Sequence, residues 1–162
     1  MSLLSMVVGL QEAGVRFVLV GGLAATAHGA SRVTDDLDIC YDRERDNLEQ
    51  LATLLASWNA YPREMEPGLP FFMDARTLRN TSILTLRTRQ GDIDLLDRVE
   101  GVGDYNACLE ASERLTIGSE DIRVLKLDAL ISAKKTAARP KDFEHLQELE
   151  AIQALRRHDE NL

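Results

Sequence analysis

This sequence of 162 residues predicts an α+β fold, a mixed β-sheet flanked by helices. Three observations carry that reading. A short apolar run, Val15–Val20, and an alternating stretch, Asp36–Tyr41, have strand character, and a hairpin pattern follows around Gly91. Amphipathic stretches of helical period stand before, between and after them. Their order runs helix, strand, short helix, strand, helix, strands, helices, which suits helices packed on one mixed sheet. The length matches one ordinary domain, and no repeat or linker divides it. A single unit over residues 1–162 is therefore expected, with C-terminal helices over about 125–157 packed on it.

The elements follow in order. Leu3, Leu4, Val7 and Leu10 recur at helical spacing, with Gly14 as a natural stop. Val15–Val20 is a buried strand halted by Gly21-Gly22, and the Ala-rich stretch Leu23–His28 gives one or two helical turns ended by Gly29. In Asp36–Tyr41, Leu37, Ile39 and Tyr41 point one way, while Asp36, Asp38 and Cys40 point the other. Leu48, Leu51, Leu54, Leu55 and Trp58 mark an amphipathic helix from about Arg43 to Trp58. Residues 59–80, with Pro62, Pro67, Gly68 and Pro70, read as loop with a short strand around Phe71–Met73. Ile83, Leu84 and Leu86, a turn at Gln90-Gly91, then Ile93, Leu95 and Leu96 make a hairpin. A shorter pair is expected at 114–117 and 122–124. Helix follows from Leu125, interrupted at Arg139-Pro140, with Pro140 opening a last helix to about Arg157.

Composition narrows the function classes. Lys plus Arg is 19 against 27 for Asp plus Glu, a net charge of −8, which argues against a general nucleic-acid coat. With 44% hydrophobic and 28% charged residues a packed core is expected rather than disorder. Cys40 and Cys108 stand in unrelated contexts, so neither a disulfide framework nor a zinc site is indicated. Residues 1–14 lack the basic start and cleavage site of a signal peptide, and no later window reads as membrane-spanning. A cytoplasmic protein without membrane association is expected.

The chemistry concentrates in Val20-Gly21-Gly22, then Asp36-Leu37-Asp38-Ile39 after a spacer of thirteen residues, and far downstream Gly91-Asp92-Ile93-Asp94-Leu95-Leu96. Two aspartates separated by one strand residue project from the same face, roughly 6.5–7 Å apart. Both can reach a pair of divalent cations of the kind that sit about 3.5–4 Å apart in phosphoryl-transfer sites. A third carboxylate on a neighbouring strand closes such a site, and hard oxygen ligands suit Mg²⁺, one ion or two. Gly21-Gly22, at a strand-to-helix turn, lets the backbone approach a phosphate. A lone Gly-Gly is usually a turn, and a lone Asp-x-Asp is usually surface. Their combination, an apolar strand, Gly-Gly, a spacer, then Asp-x-Asp on a strand whose other face is buried, gathers like charges and points to metal and nucleotide.

On these residues the sequence resembles the nucleotidyltransferase superfamily typified by DNA polymerase beta, with the spacer at its long limit. Val20-Gly21-Gly22-Leu23-Ala24-Ala25 through His28-Gly29, with Arg32 and Thr34 ahead of the aspartates, is similar to small prokaryotic nucleotidyltransferases, including the type IV toxins of toxin–antitoxin pairs. Gly91-x-Ile93-Asp94-Leu95-Leu96 is similar to the third-carboxylate strand. Leu130–Lys134 and Arg139-Pro140-Lys141-Asp142 resemble the Lys and Arg-x-x-Asp of the toxin branch. The resemblance implies the minimal nucleotidyltransferase fold, with Asp36, Asp38 and Asp94 as metal ligands and catalytic carboxylates. It implies Lys134 as a further catalytic residue, and Gly21, Gly22, Thr34 and Arg139 as nucleotide-binding residues.

Asp94 is chosen over Asp92 as the third carboxylate. It lies inside the strand, whereas Asp92 borders a turn where Asp is commonplace. Between Arg123 and Asp142, Arg123, Lys126, Lys134, Lys135, Arg139 and Lys141 outnumber Asp128 and Asp142, a local reversal in an acidic chain. Most of these cations read as a solvated helix face, with Lys134 and Arg139 set apart by resemblance. Asp142 could orient one of them or cap the last helix. His28 reads as a packed or capping histidine, Cys40 lacks a base to make it a nucleophile, and Trp58 belongs to the core. The expected activity is metal-dependent transfer of a nucleoside monophosphate from an NTP such as ATP to an acceptor hydroxyl, with release of pyrophosphate. The acceptor is open among tRNA, protein and small molecule, and a homodimer or partner protein could complete the site. The alternative is a non-catalytic nucleotide-binding or toxin–antitoxin partner that kept the fold.

Overall fold

A computed structural model describes residues 3–137 and 139–162. Helix α1 (Leu3–Glu12) buries Met6, Val7 and Leu10 and ends at Gly14, whose φ of +73° lets the chain reverse into the first strand. Strand β1 (Phe17–Val20) is buried at all four positions because it lies inside the sheet with both faces covered. Helix α2 (Gly21–Ala27) starts on the glycine pair, and β2 (Asp36–Tyr41), α3 (Arg45–Ser57), β3 (Tyr61–Pro62) and α4 (Ala75–Arg79) follow. Strands β4 (Ile83–Thr88) and β5 (Gly91–Leu96) form the hairpin, after which β6 (Arg98–Val99) and β7 (Gly103–Asp104) make a small ribbon. The chain continues through α5 (Tyr105–Glu110), β8 (Ser112–Ile117), β9 (Glu120–Leu125), α6 (Leu127–Ala137), a 3₁₀ turn at Pro140–Asp142 and α7 (Phe143–Glu160).

Among the described residues the sheet has seven strands in the order β3-β4-β5-β2-β1-β9-β8. It is mixed: β2 runs antiparallel to β1 and parallel to β5, while β1 runs parallel to β9. Leu37, Ile39 and Tyr41 face one side, where the Tyr41 hydroxyl reaches the Leu78 carbonyl of α4 at 3.5 Å. The opposite side carries Asp36, Asp38 and Cys40, and there Cys40 meets Cys108 of α5. The two cysteines, unrelated by sequence context, are thus neighbours in space as free, buried thiols. The hydrogen bond with Cys108, and then burial, push the Cys40 thiol upward, which keeps it protonated and inert.

Two sequence expectations need correction. Phe71–Met73 is not a strand; the edge strand is Tyr61–Pro62, paired with Leu86 and Arg87. The Tyr61 hydroxyl lies 2.8 Å from the carbonyls of both Glu66 and Leu69, and its ring meets Phe71 edge-on at 5.9 Å. Those contacts fold the segment onto itself rather than into the sheet. Helix α4, read as loop, is capped by Asp74, which accepts a hydrogen bond from Thr77 N. Among the described residues no helix is long and apolar enough to cross a membrane.

Candidate active site

The site starts where β1 gives way to α2. Gly21 has φ of +67°, and a Cβ there would run into the Asp38 carboxylate. A Cβ on Gly22 would come within 2.7 Å of Thr34 Oγ1. Both glycines therefore make room for other residues of the same site, and the Gly22 backbone N–H donates to Asp38. Thr34 Oγ1 donates to the Asp36 carbonyl at 3.2 Å, fixing the approach to β2.

Strand register then sets the carboxylates. Val20 lies opposite Asp38, and on the other side Asp36 pairs with Asp92 and Asp38 with Asp94. Four acidic side chains thus share one face of two adjacent parallel strands. Burial first, and then the Asp94 charge and hydrogen bond, push the Asp38 carboxyl up to about 7. Burial followed by Asp94 also raises Asp36. Asp94 is held by Arg63, whose Nη2 donates to Asp94 Oδ1 while Nη1 donates to the Leu86 carbonyl at 2.8 Å. Among the described residues Asp92 has only a loose ion pair, 3.9 Å from an exposed Arg87.

Across from the carboxylates stands a basic wall. Asp142, 5% exposed, accepts from Lys134 Nζ at 3.1 Å and from Arg139 Nε at 2.7 Å. Burial works to raise the Asp142 carboxyl, but the hydrogen bonds from Arg139 and Lys134 outweigh it and hold the group below its usual range. Asp142 does not cap α7 through its side chain; it ties two cations together. One cavity of about 1020 Å³ is lined by Gly21, Gly22, Thr34, Asp36 and Asp38 on one side and by Lys134 and Arg139 on the other. Asp94, beside Asp38 in register, does not line it among the described residues.

Two residues of this region escaped the sequence reading. Arg63 sits in an irregular segment with no periodic signal, 31 residues from its partner. His145 of α7 borders the cavity, and its Nε2 is buried with no hydrogen-bond partner among the described residues. Burial, with Arg32 and Lys134 nearby, lowers its affinity for a proton, so the ring is neutral near pH 7. His28 is structural: Nε2 meets the Leu125 carbonyl at 2.9 Å and Nδ1 faces Arg156 at 3.1 Å, joining α2 to α7.

The donor set fits a hard divalent cation. Asp36 and Asp38 line a cavity large enough for a phosphorylated ligand, and Mg²⁺ draws part of its shell from water and phosphate. Burial, and after it the charges of Asp94 and Asp36, raise Asp38 to about 7, and the like-charge part is what a bound cation relieves. Among the described residues no three His, Cys, Asp or Glu side chains are already gathered as a ligating trio, and Asp94 is engaged by Arg63.

A mixed sheet bearing paired aspartates beside a Gly-Gly turn, facing tethered cations across one cavity, has the architecture of a nucleotidyltransferase. A family model described as "Nucleotidyl transferase of unknown function (DUF2204)" matches residues 75–159, just over half of the chain, and the protein belongs to this nucleotidyltransferase family. That match spans α4 to α7 and excludes Gly21, Gly22, Asp36 and Asp38, so the two lines rest on different residues. Among curated proteins none matches. Solved structures share the fold. The lincosamide antibiotic adenylyltransferase LnuA, in its lincomycin-bound form, is 16% identical with a TM-score of 0.63, over 93% of this chain and 95% of that one. ANT(2″)-Ia in complex with adenylyl-2″-tobramycin is 16% identical with a TM-score of 0.55, over 94% and 91%. An antigenic nucleotidyltransferase-like protein from Paracoccidioides brasiliensis is 16% identical with a TM-score of 0.54, over 92% of this chain and 73% of that one.

Proposed function

We propose that this nucleotidyltransferase moves a nucleoside monophosphate from an NTP to an acceptor hydroxyl, using the cavity between β2 and α6 and depending on a divalent cation such as Mg²⁺. The observation that carries the reading is charge separation across that cavity, with the Asp36–Asp38 pair on one side and the Lys134–Asp142–Arg139 clamp on the other. Asp36 and Asp38, with Asp94 when it is free, are the residues that would hold the cation. Bound there, it offsets phosphate charge as the transition state forms.

The chain's own residues divide the remaining work. Lys134 and Arg139 grip phosphate oxygens, and the buried Asp142 holds both cations in position before substrate arrives. Gly21, Gly22 and Thr34 shape the wall against which the triphosphate lies. Asp94 takes the proton of the acceptor hydroxyl, whose oxygen bonds to the α-phosphorus as the bond to the β-phosphate oxygen breaks and pyrophosphate leaves. A small molecule suits the acceptor role better than tRNA, because the net charge of −8 disfavours an RNA surface.

One observation favours the alternative of nucleotide binding without turnover: the third carboxylate is tied to Arg63. The test is incubation with each α-labelled NTP and Mg²⁺ against separate small-molecule, tRNA and protein fractions of a cell extract. Label in one fraction, lost when EDTA replaces Mg²⁺, is the expected result. Tight Mg²⁺-dependent NTP binding with no labelled product in any fraction would favour the alternative.

A further inference from the structure

Arg63 has no part in the reaction as written, yet it is strongly constrained. Its backbone N–H donates to the Thr85 carbonyl at 3.0 Å and its Nη1 to the Leu86 carbonyl at 2.8 Å, so both ends are moored to β4. The remaining arm, Nη2, is thereby aimed at Asp94, and the two side chains are only 18% and 20% exposed. Asp36 and Asp92 also act on the guanidinium through their charge, while Asp94 in turn acts on Asp38. One cation therefore faces a cluster of acids drawn from two strands. An exposed surface ion pair contributes little, but this one is largely enclosed and held at three points. A guanidinium is always charged and weakly hydrated, so it cannot leave by losing its proton; it can only be displaced.

We propose that Arg63 is the resident counter-cation of the carboxylate cluster, orienting Asp94 in the resting protein and yielding it when a divalent cation binds Asp36 and Asp38. The inference rests on the metal-dependent reading above. Arg63 acts through Asp94 and is a positioning residue. Guanidinium and cation compete for one carboxylate, so the cluster binds a divalent ion less tightly than its acids alone would.

The test uses the full chain without nucleotide at pH 8, as wild type, Arg63→Gln, Arg63→Lys and Asp36→Asn. Mn²⁺ binding is titrated calorimetrically, and melting is followed in EDTA and in saturating Mn²⁺. Arg63→Gln is expected to melt below wild type in EDTA, to bind Mn²⁺ about tenfold more tightly, and to gain more from Mn²⁺ in melting temperature; a charge within about 4–6 Å commonly changes a carboxylate's affinity for positive charge by that factor. Arg63→Lys, whose single ammonium cannot hold both Leu86 O and Asp94, is expected to bind Mn²⁺ severalfold more tightly, and it carries the test if the Gln variant does not fold. Mn²⁺ binding that is unchanged or weaker in both Arg63 variants overturns the inference and leaves the proposed function standing. No Mn²⁺ binding by wild type, with Asp36→Asn indistinguishable from it, overturns the metal-dependent reading and this inference with it.

Discussion

Replacing Asp38 with Asn should make the metal-free protein more stable, and the pH at which it does so is fixed by the site. The folded Asp38 carboxyl is pushed from an ordinary 3.8 to about 7, first by burial and then by Asp94. A raised carboxyl binds its proton more tightly in the folded than in the unfolded chain. The stability this contributes is fully present below about 3.8 and is lost as pH rises towards 7. At 1.36 kcal/mol per tenfold of proton affinity, the full cost at pH 8 is about 4 kcal/mol. Part exposure and salt screening reduce what a melt should read to about 2 kcal/mol. The amide removes the charge but keeps the shape. Its oxygen can still accept from the Gly22 N–H, and its NH₂ can donate to Asp94. For a chain of 162 residues, about 2 kcal/mol corresponds to about 4–8 °C in melting temperature. Thermal unfolding in EDTA between pH 4.5 and 8.5, followed by circular dichroism, measures it. Wild type should lose stability across that range more steeply than Asp38→Asn, and the variant should melt higher at pH 8. A variant that melts lower at pH 8, or keeps the wild-type slope, would refute the reasoning by showing that Arg63 already compensates Asp38.

Other consequences follow from the same geometry. Asp142→Asn, which frees Lys134 and Arg139, should raise the NTP KM and lower kcat/KM about tenfold to a hundredfold in steady-state assays; an unchanged kcat/KM would remove the clamp from the mechanism. Gly21→Ala forces a Cβ towards the Asp38 carboxylate at φ of +67° and should cost about 1–3 kcal/mol in denaturant unfolding, with loss of activity. Asp94→Asn should lose at least about a hundredfold in turnover, whereas Asp92→Asn should keep most of it. The reverse ranking would mean that the carboxylate beside Asp36, not the one beside Asp38, completes the site.

Much of the sheet was legible because its signals are periodic. The alternation in Asp36–Tyr41 gave both the strand and the face on which the aspartates lie, and the Leu48–Leu55 pattern gave α3. The segment from 59 to 80 was not legible, because its order comes from single contacts such as the Tyr61 hydroxyl on a loop carbonyl rather than from a repeat. Helices α4 and α5 are too short for an amphipathic period. Their one local sign is an aspartate at the N-cap, Asp74 before Thr77 and Asp104 before Ala107. Within the site, residue types showed which side chains carry charge but not which charges meet. Arg63 reaches Asp94 from the turn that follows the edge strand β3, across β4, and the Gly21-Gly22 pair also makes room for Asp38 and Thr34. Long-range pairing of that kind depends on strand order, which the sequence does not display.

The most direct test of the central claim compares α-labelled and γ-labelled ATP, with Mg²⁺ and the fraction that accepts label, for wild type and Asp38→Asn. Wild type should place the α-label in product and leave the γ-label in free pyrophosphate, whereas Asp38→Asn, the more stable protein without metal, should do neither. Full α-label transfer by Asp38→Asn, or γ-label appearing in the acceptor, would contradict the account.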